Sequence, residues 1–102
     1  MIAHYVITRA DLDHGTQAAQ IIHAAGESSP GKLGTGTYAF ALTVKNEEEL
    51  RKLAFKLFEA GIPHKMILEP DAPHNGALMA IGVCPDKRKK LRKHFSNLPL
   101  LK

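Results

Sequence analysis

The sequence predicts a single α/β domain, residues 1–102, in which a mixed four-stranded β-sheet is flanked by helices. A chain of 102 residues, of which 44% are hydrophobic and 24% charged, is long enough to form one hydrophobic core. Segments rich in β-branched and aromatic residues alternate with segments of helical periodicity, in the order β-α-β-α-β-β-α. Strands that alternate with helices are typical of a sheet covered by helices.

The first half of the chain predicts two strands with a helix between them. The segment Ile2–Thr8 is rich in β-branched and aromatic residues, which favour a strand. A polar turn, Arg9–Gly15, leads into a helix over about Thr16–Ala25, whose alanine pairs favour helix formation. A loop over residues 26–36, with four glycines and a proline, then precedes the second strand, Thr37–Lys45.

The second helix has the clearest signals. Asn46 and Glu49 have the spacing of a capping box, in which each side chain bonds to the backbone N–H of the other residue. Apolar residues then recur with the i, i+3, i+4, i+7 spacing of a buried helix face, beginning at Leu50. Gly61 ends the helix, and Pro63 prevents it from resuming.

The remainder of the chain predicts two strands and a last helix. Lys65–Glu69 forms a short third strand, and residues 70–76 form a tight turn. Ala77–Val83 is apolar throughout, which is typical of a central strand. Asp86 is the expected N-cap of a helix over Lys87–Phe95.

Composition excludes several classes of protein. The single cysteine, Cys84, excludes an internal disulfide and a cysteine-based zinc or iron–sulfur site. No apolar run approaches the roughly 20 residues that span a membrane, and the first five residues lack the features of a secretion signal. We therefore expect a cytoplasmic protein that does not insert into membranes.

Positive charge is concentrated at the carboxy-terminal end. The net charge is +4, but residues 86–102 contain seven of the 14 Lys and Arg and one acid, or +6, which leaves −2 for the rest. Such a segment suits a polyanionic partner, because basic side chains that contact phosphates release counterions. The alternative is a solvated helix face that binds nothing. The candidate phosphate-binding residues here are Lys87, Arg88, Lys90, Arg92 and Lys93.

Three polar residues of the first helix are candidates for chemistry. Thr16, Gln20 and His23 stand at i, i+4 and i+7, with Glu27 one turn further, so they lie on one face of the helix. An imidazole can accept a proton from water near neutral pH, and an amide or hydroxyl can donate to a developing oxyanion. The alternative is that Gln20 and His23 only satisfy nearby backbone groups. The residues expected to pack on the sheet are Ala18, Ile21, Ile22 and Ala25.

The order of short motifs along the chain resembles the peptidyl-tRNA hydrolase type 2 family. The most specific of them is Ala18-Ala19-Gln20-x-x-His23-Ala24, which follows a strand and an Arg-x-Asp-Leu turn. The resemblance covers nearly the whole chain in the same order. It is carried by Tyr5–Leu12, Gly15, Ala18–Ala24, Glu47–Leu50, Leu53-Ala54, Glu59–Pro63 and Ala80–Pro85.

The resemblance implies a mixed four-stranded sheet and a possible homodimer. The implied activity is hydrolysis of the ester that joins a peptide to the terminal ribose of tRNA, which recycles peptidyl-tRNA. No metal or organic cofactor is expected on this basis. The implied partner is tRNA, whose phosphates suit the basic carboxy-terminal segment.

The chain departs from the family pattern at two places. Thr16 stands where the family has a lysine after the glycine, and a hydroxyl cannot supply a fixed positive charge. The family's acidic residue after the third strand falls on Glu69 when no gap is introduced, and on Asp71 with a slip of two residues. The turn that follows is shortened to His74-Asn75-Gly76, a feature similar to the divergent branch of peptidyl-tRNA hydrolase domain-containing proteins.

These comparisons give each candidate residue an expected role. In this hypothesis, His23 is oriented by Glu69 or Asp71 and activates water, while Gln20 and Thr16 position the ester. Arg9 and Asp11 are candidates for substrate binding, with Arg9 on a phosphate. A local Arg9–Asp11 pair is the structural alternative.

Two other functions fit the same sequence. The chain could be an RNA-binding module that lacks catalytic activity, because Thr16 replaces the lysine and the turn is short. It could also be a protein-interaction module whose basic segment binds an acidic partner.

Overall fold

The sheet has four main strands and one short one. The computed structural model describes residues 1–102 and confirms the predicted class, a mixed sheet flanked by helices. The strands are β1 (Ile2–Arg9), β2 (Tyr38–Val44), β3 (His64–Glu69), β4 (Ala77–Val83) and the two-residue β5 (Asp86–Lys87). The helices are α1 (His14–Ser28), α2 (Glu47–Glu59) and α3 (Arg88–Leu91), and a 3-10 helix follows at Arg92–His94.

The four main strands lie in the order β2-β1-β4-β3. β1 is parallel to β2 and antiparallel to β4, and β4 is antiparallel to β3. β4 pairs with residues 6–8 of β1, while β5 pairs with residues 2 and 3. β5 therefore extends the path of β4 along β1 after a short break at Cys84 and Pro85.

The two faces of the sheet carry different layers. Tyr5 and Ile7 of β1 face α2, in a cluster of 15 buried apolar residues that also includes Leu91 and Phe95. On the α1 side only Val6, Ala24 and Ala80 form a buried apolar cluster. The α2 side therefore contains most of the apolar burial that stabilises the fold, while the layer under α1 is thin.

Helix α2 confirms its sequence signals. The Asn46 side chain accepts a hydrogen bond from the Glu49 N–H at 3.0 Å, which is one of the two bonds of the predicted capping box. The apolar stripe that starts at Leu50 is buried against the sheet. Gly61 ends this region with a φ of 70°, a left-handed conformation that glycine adopts without steric cost.

The predicted helix over Lys87–Phe95 is wrong in its extent and in its cap. Asp86 is not an N-cap, because it belongs to β5 and pairs with Ala3. The Asp86 carboxylate instead accepts from the Lys87 N–H at 2.7 Å and from Lys90 Nζ at 2.9 Å. Pairing with the start of β1 delays the helix to Arg88, and only four α-helical residues precede the 3-10 helix.

The two outer edges of the sheet differ. The carboxy-terminal residues cover β2, because Thr43 N–H donates to the Pro99 carbonyl at 3.0 Å and Leu101 N–H donates to the Ala41 carbonyl at 2.9 Å. β3 pairs only with β4, so its outer edge is free. None of the helices is both long and apolar enough to cross a lipid bilayer.

We expect Gly82→Ala to destabilise the fold strongly. A Cβ at Gly82 would collide with the Ala24 carbonyl oxygen and the Ser28 side chain, both of which belong to α1. Crowding of this kind costs on the order of 1–3 kcal/mol or more. Gly26→Ala is the matched control, because Gly26 lies in α1 with open space around its Cα, and this change should stabilise by roughly 0.5–1 kcal/mol. Urea denaturation of the two variants measures both effects, and equal midpoints would contradict the prediction.

We expect stability to fall as the pH decreases below about 6.5, the value for an unfolded histidine. His4 is 4% exposed, and its Nε2 lies 2.8 Å from Ser28 Oγ, which donates its own proton to the Ala24 carbonyl. Burial lowers the pKa of His4, so the unfolded chain binds a proton at a higher pH than the folded chain does. The stabilisation is therefore complete above the unfolded pKa and is lost as the pH falls through the interval between the two values.

Urea midpoints measured between pH 8 and pH 5 test this dependence. A His4→Gln variant should lose part of the slope, whereas His23→Gln, at an exposed position, should retain it. An unchanged slope in His4→Gln would contradict the assignment to His4.

Candidate functional site

A cleft of about 550 Å³ lies between the amino-terminal half of α1 and the turn that joins β3 to β4. It brings together four of the residues predicted to be catalytic, although they come from two distant parts of the sequence. Its lining residues are Asp13, Gly15, Thr16, Ala19, Gln20, Glu69, Asp71, Ala72 and His74.

A second depression is larger but encloses nothing. It measures about 790 Å³ and lies along the surface of α2, and every residue that lines it belongs to that one helix. Without a second element opposite, a ligand there would stay exposed to solvent. The cleft beside α1 is therefore the candidate site.

Backbone hydrogen bonds hold the β3–β4 side of the cleft in place. The Gly76 N–H donates to the Glu69 carbonyl at 2.6 Å, which closes the turn at the end of β3. Inside the turn, the N–H groups of His74 and Asn75 both donate to the Asp71 carbonyl. The tight turn therefore directs the side chains of Glu69, Asp71 and His74 towards α1.

Asp13 defines the α1 side of the cleft. Its carboxylate accepts a hydrogen bond from the Thr16 N–H at 2.8 Å and caps the helix. Hydrogen bonds from Thr16 hold the pKa of Asp13 below its usual value. The helix consequently begins at His14, earlier than the sequence prediction of about Thr16.

Gln20 is one of two α1 glutamines with an unpaired buried oxygen, the other being Gln17, and it is the one that lines the cleft. Its side chain is only 7% exposed, and its Oε1 is buried without any hydrogen-bond partner. A buried carbonyl oxygen without a partner costs roughly 1–3 kcal/mol. Buried polar groups in native proteins are rarely left unpaired, and the exceptions often mark sites that bind or react.

His23 does not line the cleft. The buried residues of α1 are Gln17, Gln20, Ala24 and Ser28, which centre the buried face about 100° away from His23. Gln20 lies at the boundary between that face and the predicted polar stripe, whereas His23 is exposed. The same rotation contradicts the packing expected of Ala18 and Ile22, which are exposed, Ile22 by 71%.

Arg9 and Asp11 bind each other. Two nitrogens of the Arg9 guanidinium, Nε and Nη2, contact the two Asp11 carboxylate oxygens at 2.9 Å, which agrees with the predicted local pair. Hydrogen bonding to Asp11 raises the pKa of Arg9, and the Arg9 guanidinium in turn lowers the pKa of Asp11. The Arg9 side chain is 13% exposed and neither residue lines the cleft, so the guanidinium presents little surface to a phosphate.

The basic residues lie at the opposite end of the sheet from the cleft. They lie in β5 and directly after it, and β5 pairs with the start of β1. Helix α1, by contrast, begins beside the end of β1, where Gln17 Nε2 donates to the Arg9 carbonyl. Seven residue steps of about 3.3 Å separate these two ends, or roughly 23 Å. The cleft therefore does not open toward the basic residues.

Two of the five predicted phosphate-binding residues have contacts within the chain. The Arg88 guanidinium lies over the rings of Tyr38 and Phe40, at 5.4 Å from each centroid. Lys90 is paired with Asp86 at 2.9 Å. The side chains exposed to solvent without such a contact belong to Lys87, Arg92 and Lys93, together with Lys89.

Sequence reasoning missed two residues of the cleft. The sequence places His74 in the short turn after β3 without a functional role, but in the structure it is half-buried and lines the cleft. Asp13 has a recognisable signal, since an aspartate three residues before Thr16 is a common N-cap. His74 has no comparable signal, because its position depends on how the turn folds back on α1.

No protein-family model matches the chain, and no curated protein matches it either. No group of three or more His, Cys, Asp or Glu side chains is arranged to hold a metal ion. The function is therefore inferred from the cleft and from the motifs.

We expect Gln20→Met to stabilise the protein by about 1 kcal/mol, because it removes a buried oxygen that has no partner. Gln17→Met is the matched control on the same helix. Gln17 also has a buried Oε1 without a partner, but its Nε2 donates to the Arg9 carbonyl at 2.9 Å, so Gln17→Met removes a hydrogen bond as well and should destabilise. Urea midpoints that move in opposite directions for the two variants support the assignment, and a destabilised Gln20→Met contradicts it.

Proposed function

We propose that this protein is a hydrolase that cleaves the ester bond between a peptide and tRNA. The observation that carries the proposal is the cleft, in which Thr16 and Gln20 of α1 face Glu69 and Asp71 of the β3–β4 region. The identity of the substrate is inferred from the motifs that resemble the peptidyl-tRNA hydrolase type 2 family. The same resemblance implies the cleavage reaction. The chemical steps of that reaction are assigned to the residues of the cleft.

Ester hydrolysis requires a group that accepts a proton from the attacking water. The carboxylates of Glu69 and Asp71 and the imidazole of His74 are the candidates within the cleft. Water attacks the ester carbonyl carbon, the bond from that carbon to the ribose oxygen breaks, and the ribose oxygen takes up the proton. The products are a free peptide carboxyl group and a tRNA with a free terminal hydroxyl.

The negative charge that develops on the carbonyl oxygen needs hydrogen-bond donors. Thr16 and Gln20 each carry a donor, a hydroxyl and an amide respectively. The Nε2 of Gln20 is the donor that this proposal requires, since the buried Oε1 can only accept a hydrogen bond. The Gln20 side chain is therefore proposed to contact the ester.

The basic residues have a separate role in this proposal. Phosphates repeat every few ångströms along a nucleic acid strand, so a tRNA held by its end in the cleft extends beyond the sheet. Its phosphates can then reach Lys87, Arg92 and Lys93, roughly 23 Å away along β1. These contacts position the substrate and add salt-dependent affinity.

A second candidate function is RNA binding without catalysis. The observation that favours it is the charge of the cleft, which has the three carboxylates Asp13, Glu69 and Asp71 and neither lysine nor arginine. A cleft with this charge has no fixed cation to stabilise an oxyanion. In this case Thr16 marks the loss of the reaction.

Incubation with an N-acetylated, labelled aminoacyl-tRNA tests both candidates. The wild-type protein is expected to release the labelled acid. Gln20→Met and at least one of Glu69→Gln, Asp71→Asn and His74→Asn should lower kcat about 100-fold or more, since proton transfer and oxyanion stabilisation each contribute factors of that order. Glu48→Gln is the control, because Glu48 is an exposed carboxylate on α2, outside the cleft.

Three outcomes would contradict the hydrolase. The first is tRNA binding without release of the labelled acid when the protein is in excess over the substrate. This result supports the RNA-binding module, and release that appears only in Thr16→Lys would support it as well. The second is the absence of any tRNA binding at low salt. The third is loss of cleavage in His23→Ala with full activity in every cleft variant, which would place the reaction outside the cleft.

A further inference from the structure

A cavity of about 250 Å³ lies where residues 88–100 pack on β1 and β2. It shares no residue with the cleft beside α1. Six of its nine lining residues are hydrophobic, and they come from both strands and from the carboxy-terminal segment. These six residues are Tyr5, Phe40, Leu42, Phe95, Leu98 and Leu100.

Two arginines line this cavity without a counter-ion. Arg88 and Arg92 are four residues apart on one helical turn, in which the Arg92 N–H donates to the Arg88 carbonyl, so their side chains lie on the same face. No carboxylate lines the cavity, and neither arginine belongs to an ion pair of the chain. Like charges at this spacing repel each other. An anion bound between the two side chains would relieve this repulsion.

The Arg88 side chain is held in place, but its hydrogen-bond donors are not used. Its guanidinium lies over the rings of Tyr38 and Phe40, 5.4 Å from each centroid. A ring face attracts the positive charge but does not supply an oxygen to the N–H groups. The Arg88 Nε is buried without a hydrogen-bond partner, which is rare in native proteins. Arg88 is therefore positioned for an acceptor that the chain itself does not provide.

We propose that this cavity binds a small carboxylate with an apolar body. The carboxylate bonds to Arg88 and Arg92, because a guanidinium presents its N–H groups as a planar fork that matches two carboxylate oxygens. The apolar body contacts the wall of stacked rings, in which Tyr5 lies 4.7 Å from Phe40 and 4.5 Å from Phe95 between centroids. Charge and apolar surface are thereby matched on the two ends of one ligand.

The size and polarity of the cavity restrict the ligand. An apolar cavity of about 150 Å³ holds benzene, so about 250 Å³ has space for one ring or a short branched chain together with a carboxylate. A nucleotide is also anionic, but its ribose and base edges need several hydrogen-bond partners. Besides the two arginines, the lining offers only the hydroxyls of Tyr5 and Ser96. These observations favour an apolar carboxylate over a nucleotide.

Titration with 3-phenylpropionate tests this site. Tyrosine fluorescence reports on it, because the chain has no tryptophan and two tyrosines, of which Tyr5 lines the cavity and Tyr38 contacts Arg88. We expect saturable binding with a Kd of about 1 mM or tighter, which requires only an ordinary contribution from each atom of a ligand of this size. The uncharged 3-phenylpropanamide and the ring-free acetate should each bind about tenfold or more weakly than 3-phenylpropionate.

Variants of the two arginines test the proposed contacts. Arg88→Met and Arg92→Met should each weaken binding about tenfold or more, since each removes charge-assisted hydrogen bonds. Lys89→Met is the matched control, because it removes one positive charge from an exposed residue outside the cavity and should change the Kd by less than about twofold. Arg92 is itself exposed, so Arg92→Met tests the site even where Arg88→Met disturbs packing on Tyr38 and Phe40.

Amide chemical shifts locate the bound ligand. Addition of 3-phenylpropionate should shift the signals of residues 88–98, which form one side of the cavity. The signals of Thr16 and Gln20, which line the cleft, should stay unchanged.

The absence of saturable binding at 3-phenylpropionate concentrations up to about 10 mM overturns the proposal. Equal losses in Lys89→Met and Arg88→Met also overturn it, because they indicate general attraction to positive charge. Tighter binding of adenosine 5′-monophosphate than of 3-phenylpropionate assigns the cavity to a nucleotide and overturns the carboxylate. None of these readouts uses the ester hydrolysis assay, so this site and the proposed function can fail separately.

Discussion

Helix α1 can lie close to the sheet because Gly82 has no side chain and the two alanines of the cluster beneath it, Ala24 and Ala80, are small. At Gly82 even a Cβ would collide with the backbone of the helix. This contact fixes the height of α1 above β4, and the residues that line the cleft follow from it. With α1 at this position, its amino-terminal half reaches the β3–β4 turn, where Glu69, Asp71 and His74 are held by the closed backbone of that turn.

A helix this close to the sheet leaves little space for large apolar side chains, so several polar groups are buried beneath it. Most of them are paired, as His4 is with Ser28 and Gln17 with the Arg9 carbonyl. The Oε1 atoms of Gln17 and Gln20 nevertheless have no partner, and of these two buried glutamines only Gln20 lines the cleft. An unpaired polar group that lines a cleft is typical of a site selected for binding or reaction and not for stability.

The accuracy of prediction from sequence depends on whether a signal is local. Helix α2 follows from a capping box and an apolar stripe, and both are properties of neighbouring residues. The last helix was predicted incorrectly because an aspartate before a basic segment can either cap a helix or belong to a strand. Asp86 belongs to a strand because it pairs with Ala3, which is 83 positions away in the sequence. Thr16 and Gln20 could be placed on one helix face, but the rotation that exposes His23 is set by contacts with the sheet. Both Glu69 and Asp71 line the cleft, so the structure does not require a choice between them.

The distribution of charge limits how a tRNA could bind. Asp13, Glu69 and Asp71 make the cleft anionic, so a phosphate is repelled from it, whereas the neutral ester and the terminal ribose are not. Phosphates must then lie outside the cleft, near Lys87, Arg92 and Lys93 at the far end of β1. Recognition and chemistry are thereby separated in space, because the same carboxylates that can accept a proton from water also exclude the polyanionic part of the substrate.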